Sequence, residues 1–280
     1  MEQKKITIPD ILKMKQDGIP IAMLTAYDYP LAHILDTAGV DIILVGDSVG
    51  NVVLGYESTV PVTMEEMIHH TKSVKKGITH ALLAADMPFM SFNISREQTI
   101  VNAGRLVKDA GADAVKIEGA GEPVLDMIRA VVGAGIPVMG HIGLTPQTAT
   151  MLGGLKVQGK TAQAAQQILQ QAIALEQAGC FSIVFECIPD VLAEHITHVL
   201  KIPSIGIGAG IGCDGQVLVT HDMLGITERF VPKFVKQYAQ ISKDMREAAE
   251  CYIADVRGKK FPDFGHSFKM NREDLKGLEP

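Results

Sequence analysis

Tryptophan is absent from this 280-residue chain, and aromatic residues make up only 5% of it. Its core must therefore be packed with aliphatic side chains, and hydrophobic residues reach 47%. Long apolar runs are missing too. Polar residues break every apolar stretch well before the roughly 18 residues that a membrane helix needs. The opening Met1-Glu2-Gln3-Lys4-Lys5 leads into a stretch interrupted by Pro9 and Asp10, unlike a signal peptide. Neither sign of charge dominates: 26 basic against 32 acidic side chains leave a formal net charge of −6. Nucleic-acid binding through bulk positive charge is therefore not expected. The short basic clusters at Lys72–Lys76 and Arg257–Lys260 read as solvated surface. Cysteine is scarce. Cys180, Cys187, Cys213 and Cys251 form no Cys-x-x-Cys pair, which speaks against a zinc site or a disulfide framework. They read as reduced thiols of a cytoplasmic protein.

Short apolar, β-branched runs recur along the chain. They are Ile19–Thr25, Val40–Gly46, His80–Ala85, Ala112–Ile117, Pro137–Ile142, Cys180–Phe185, Ile202–Ile207 and Gln216–Thr220. Such runs lack polar alternation, as strands buried on both faces of a parallel sheet require. Helix signals lie between them. Thr63–Glu66 and Ser95–Gln98 fit capping boxes, Thr161 opens a helix through Gln177, and Gly179 follows its end. Pro123 and Pro189 fit first-turn positions. Eight strand–helix units predict one α/β domain over residues 1–280, a (β/α)₈ barrel (TIM barrel). Pro9–Gly18 fits an extra N-terminal helix capping its bottom, and the tail from about Phe261 reads as irregular. An open doubly wound sheet is disfavoured, because no Gly-x-Gly-x-x-Gly follows the first strand.

Barrel chemistry sits at the C-terminal strand ends. Those ends carry Asp28, Asp47, Asp86, Lys116 with Glu118, His141, Glu186, and His221 with Asp222. Lys116 and Glu118 are two apart and share a face. Carboxylates ending strands two, three and four should gather, and mutual repulsion would then call for a hard divalent cation. Asp47, Asp86 and Glu118 are thus metal candidates, with Mg²⁺ favoured over Zn²⁺ by all-oxygen ligation. Each alone would read as well as a helix cap. Lys116 could meet an anionic substrate or simply pair with a carboxylate. Glu186 ends an almost wholly apolar run, so desolvation should suit it to a general base, its alternative being a bond to loop amides. His141 fits a substrate contact or a structural role equally. The glycine-rich Gly206–Gly210 turn resembles an anion cradle, and the long connections Ser48–Val62 and Gly143–Lys160 fit lids or binding loops.

Several motifs then combine. Val45-Gly46-Asp47-Ser48-Val49-Gly50, Gly55-Tyr56-Glu57-Ser58-Thr59 and Asp86-Met87-Pro88-Phe89 resemble the ketopantoate hydroxymethyltransferase family. So do Ala114-Val115-Lys116-Ile117-Glu118-Gly119, Gly140-His141-Ile142-Gly143-Leu144-Thr145-Pro146-Gln147, Phe185-Glu186 and the Gly206–Gly210 turn. The resemblance runs from about residue 4 to about residue 265. It implies a Mg²⁺-dependent barrel enzyme of pantothenate biosynthesis. Such an enzyme moves a hydroxymethyl group from 5,10-methylenetetrahydrofolate to 3-methyl-2-oxobutanoate through an enolate. Carried over by motif, Asp47, Asp86 and Glu118 hold the metal. Asp47, Ser48, Asp86 and Lys116 hold the 2-oxo acid, and Glu186 accepts the proton. A homo-oligomer, commonly a homodecamer, is implied as well. The alternatives are a Mg²⁺-dependent lyase of the isocitrate lyase and phosphoenolpyruvate mutase type, and a barrel that binds a 2-oxo acid without turnover. The lyases' Lys-Lys-Cys-Gly-His type loop is not found here.

Overall fold

Each apolar run folds into a strand: β1 (Ile21–Thr25), β2 (Ile42–Val45), β3 (Leu82–Asp86), β4 (Ala114–Glu118), β5 (Val138–Gly143), β6 (Ser182–Glu186), β7 (Ser204–Ile207) and β8 (Gly215–Leu218). The computed structural model describes residues 4–228, 231–276 and 278. The strands pair in parallel in chain order, and β8 pairs with β1, closing the expected (β/α)₈ barrel. Every residue of β2, β3 and β4 is buried, which accounts for their unbroken apolar character. Alternation divides them between two layers. Ile42, Leu44, Leu82, Ala84, Ala114 and Met139 fill the barrel. Ile43, Val45, Leu83, Val115 and Ile117 face outward into a second core with Leu35, Met67, Ala103, Ile128 and Leu175 of the surrounding helices.

Those helices are α1 (Ile8–Asp17), α2 (Tyr29–Thr37), α3 (Val49–Val52), α4 (Met64–Lys75), α5 (Arg96–Gly104), α6 (Glu122–Gly133), α7 (Ala162–Gln177), α8 (Asp190–Val199), α9 (Thr220–Met223) and α10 (Ile241–Arg257). The anticipated capping box forms at Thr63 with Glu66, and Thr161 caps α7. At Ser95 only the hydroxyl half forms, accepting from the Gln98 amide. Pro123 lies in the first turn of α6, whereas Pro189 is the residue before α8 rather than within it. As expected, α1 closes the barrel bottom. Ile11 joins the interior core, and Lys15 Nζ lies 2.7 Å from Asp214 Oδ2 just before β8.

Three differences from the sequence reading have local causes. Most strands begin two residues late, because the first apolar residues complete turns that leave the preceding helices; Gly39, Gly111 and Gly179 take positive φ there. The run read as Gln216–Thr220 gives its end to α9. No helix joins β7 to β8. The connecting segment is too short and glycine-rich, with Gly208 and Gly210 at positive φ. The tail holds two short 3₁₀ turns, Phe264–His266 and Arg272–Leu275; residues 277, 279 and 280 lie outside the described residues. Among the described residues, no helix is long and apolar enough to cross a membrane.

Closure is tight where β8 meets its neighbours. A Cβ on Gly215 would stand 2.5 Å from Ile21 O and 2.7 Å from Ile205 Cδ1. Gly215→Ala should therefore cost about 1–3 kcal/mol through overpacking. Guanidinium denaturation checks this, and an unchanged midpoint would show that the seam yields freely.

Candidate active site

Register brings the strand ends together. Asp86 on β3 stands beside Lys116 on β4, Glu118 beside His141 on β5, and Gly143 beside Glu186 on β6. Asp47 and Ser48 follow β2 directly, and the Asp47 amide donates to Asp86 Oδ2 at 3.0 Å. Lys116 Nζ lies 2.7 Å from Asp86 Oδ1 and 4.0 Å from Glu118 Oε1. Asp47, Asp86, Lys116 and Glu118 are each no more than 6% exposed. The expected gathering of three carboxylates around one ammonium is therefore present.

His141 lies between two carboxylates. Its Nδ1 is 3.3 Å from Glu118 Oε1 and its Nε2 is 3.2 Å from Glu186 Oε2. These are ion-pair distances, and neither contact has hydrogen-bonding orientation. The apolar burial expected for Glu186 is corrected here. Its side chain, at the C-terminal end of β6, is 16% exposed and faces His141. Glu186 is thus connected to the carboxylate cluster through His141 rather than standing alone across the barrel. Its backbone position depends on a glycine. Gly143 has φ +95°, and a Cβ there would stand 2.2 Å from Glu186 O.

The electrostatics follow from burial and crowding. Burial pushes the Asp47 carboxyl well above the usual range, and the Glu118 and Asp86 carboxylates add to this. Glu118 moves the other way. Burial opposes its ionisation, but His141 and then Lys116 outweigh that and hold it below the usual range. Burial also opposes protonation of His141, yet Glu118 lifts it to about 9. The Lys116 ammonium is disfavoured by burial and held above its usual value by Asp86, Glu118 and Asp47.

Two residues of the site were not singled out in the sequence. Tyr27, buried after β1, places Oη 2.8 Å from Ser48 Oγ. Gln147, in a 3₁₀ turn (Pro146–Thr148) after β5, donates from Nε2 to Asp47 Oδ2 at 2.9 Å and to Met87 O at 3.0 Å. Its amide nitrogen donates to Glu118 Oε2 at 3.2 Å. Both follow strand C-termini, the signal that could have found them. Other strand-end candidates fall outside the cluster. Asp28 is exposed and caps α2, accepting from the Leu31 amide. His221 Nδ1 has no hydrogen-bond partner, so it makes no pair with Asp222 through that atom. The Gly206–Gly210 turn packs its glycines against Phe234 and Asp190.

The donor chemistry fits a hard divalent cation. Three buried carboxylates face one lysine, and Asp86 Oδ1 meets Lys116 as an ion pair without a hydrogen-bond partner of good geometry. As the side chains stand, no three His, Cys, Asp or Glu groups among the described residues converge on one ion position. Lys116, Gln147 and the main chain engage those oxygens instead.

A family model described as ketopantoate hydroxymethyltransferase matches residues 5–264. The chain belongs to that family. Membership makes it a hydroxymethyltransferase of pantothenate biosynthesis. A relative from Heliobacterium modesticaldum, named 3-methyl-2-oxobutanoate hydroxymethyltransferase, is 58% identical over 275 residues, 98% of this chain and 99% of that one. Among solved structures, phosphoenolpyruvate phosphomutase from Streptomyces platensis subsp. rosaceus has a TM-score of 0.61 at 13% identity, covering 90% of this chain and 88% of that one. A phosphonopyruvate hydrolase in complex with oxalate and Mg²⁺ has a TM-score of 0.58 at 13% identity, covering 96% and 94%. These two likenesses extend to the fold.

Among the described residues, Lys116 is the one cation in direct contact with Asp86. Lys116→Met should destabilise the protein by about 3–5 kcal/mol in the presence of a chelator, because it leaves buried carboxylates uncompensated. Urea unfolding in EDTA measures this. A loss under about 1 kcal/mol would mean that protonation already neutralises the cluster.

Proposed function

We propose that this hydroxymethyltransferase takes its one-carbon unit from 5,10-methylenetetrahydrofolate and adds it to 3-methyl-2-oxobutanoate, forming 2-dehydropantoate and tetrahydrofolate. The observation that carries the reading is a buried, negatively charged mouth next to a half-buried carboxylate, Glu186, with family membership behind it.

Asp47, Asp86 and Glu118 would hold Mg²⁺. When bound, the cation supplies Lewis-acid stabilisation of the charge that develops on the keto oxygen. Lys116, already charged and desolvated, neutralises part of that charge and holds the 2-oxo acid together with Asp47, Asp86 and the Ser48 hydroxyl. Tyr27 orients that hydroxyl through the contact at its Oγ. Glu186 takes the C3 proton, and His141 fixes the direction in which its carboxylate points. The C3 carbanion then forms a bond to the one-carbon unit, water provides the hydroxyl oxygen, and tetrahydrofolate leaves.

A homo-oligomer belongs to the same reading. It is supported by α10, none of whose side chains is buried and whose Met245, Tyr252, Ile253 and Val256 are 42–59% exposed.

Product formation from the two substrates, followed by chromatography with Mg²⁺ and with chelator, tests the function. Glu186→Gln should lower kcat by about 10²–10⁴-fold. Calorimetry should show that it still binds the 2-oxo acid. Near-normal turnover by this variant would remove Glu186 from the role of base.

A further inference from the structure

Gln147 is 5% exposed and makes three hydrogen bonds, to three different elements of the barrel mouth. Its side-chain amide holds Asp47 Oδ2, which follows β2, and Met87 O, which follows β3. Its main-chain amide holds Glu118 Oε2 at the end of β4. One residue of a loop thus occupies a single oxygen on each of two carboxylates that belong to separate strands. The remaining oxygens, Asp47 Oδ1 and Glu118 Oε1, are left for other partners; Glu118 Oε1 has His141 Nδ1 at 3.3 Å and Lys116 Nζ at 4.0 Å. A neutral amide adds no charge to the cluster. What it adds is direction: a carboxylate with one oxygen tied cannot rotate freely about its last torsion. The turn that carries Gln147 is itself fastened, with Thr145 Oγ1 2.6 Å from Thr148 Oγ1.

We propose that Gln147 is a positioning residue that aims the carboxylates of Asp47 and Glu118 at a divalent cation and ties the Gly143–Lys160 connection to that site. The inference rests on the cation reading of the cluster given above. Partners in the outer shell of a metal site typically contribute about 10–100-fold to affinity by fixing the orientation of the ligands. The side chain does this for Asp47 and the main chain for Glu118, so removing the side-chain amide frees Asp47 while the turn remains.

Mn²⁺ binding to the full-length protein, read from the electron paramagnetic resonance signal of the free aquo ion without substrate, tests this. Gln147→Leu keeps similar bulk without the amide, and should weaken Mn²⁺ binding by about 10–100-fold. Thr148→Val loosens the same turn and leaves the amide in place; it should stay within about threefold of wild type. Thermal unfolding of both variants separates lost affinity from lost fold. Gln147→Leu binding Mn²⁺ like wild type would overturn the proposal. An equal loss in Thr148→Val would overturn it too, because order of the turn rather than the amide would then be responsible. If the wild-type protein itself failed to bind Mn²⁺, the cation reading of the cluster would fall, and this inference with it.

Discussion

Three buried carboxylates, Asp47, Asp86 and Glu118, crowd with the Lys116 ammonium at the barrel mouth, and the rest of the architecture depends on that confinement. Buried charge is tolerated only when paired and hydrogen-bonded. Lys116 meets Asp86 because the register of β3 and β4 sets them side by side, and His141 meets Glu118 by the register of β4 and β5. A slip of one residue would turn these side chains to the other face of the sheet and bury them against the helices. The apolar layers that lock the register therefore also set the charge pattern. Burial, with the neighbouring Glu118 and Asp86 carboxylates adding to it, raises the Asp47 carboxyl above its usual range.

The site has a rigid tier and an adjustable one. Asp86, Lys116, Glu118, His141 and Glu186 stand on strands whose backbone is fixed by ladder bonds on both sides. Asp47, Ser48 and Gln147 stand on the segments just beyond, where turns rather than ladders set direction. Gln147 ties the second tier to the first through its main-chain amide on Glu118 Oε2, while Tyr27 meets Ser48 within the second.

Much of this was legible in the sequence, for physical reasons. Strands buried on both faces leave runs that cannot be mistaken for amphipathic helices, so the barrel and the strand ends could be read directly. The period-two alternation of a strand alone places Lys116 and Glu118 on one face. Legibility failed where contacts are made by loops or set by three dimensions. Gln147 lies in a long connection with no period, and nothing local marks its reach to Asp47, 100 residues away in sequence. Glu186 ends an apolar run, which suggested an apolar pocket; the His141 side chain on the adjacent strand β5 sets its surroundings instead. The missing helix between β7 and β8 reflects a connection too short for one, although the glycines there were visible.

In the proposed reaction the charged mouth removes the C3 proton of a 2-oxo acid with the help of a divalent cation. The most direct measurement is proton NMR of 3-methyl-2-oxobutanoate in D₂O with the enzyme, run in parallel with Mg²⁺ and with EDTA, and with tetrahydrofolate present in both. The C3 proton signal should disappear with Mg²⁺ and persist in EDTA. Equal loss in both would contradict the role given to the carboxylate cluster, and a persistent signal in both would contradict proton abstraction at C3.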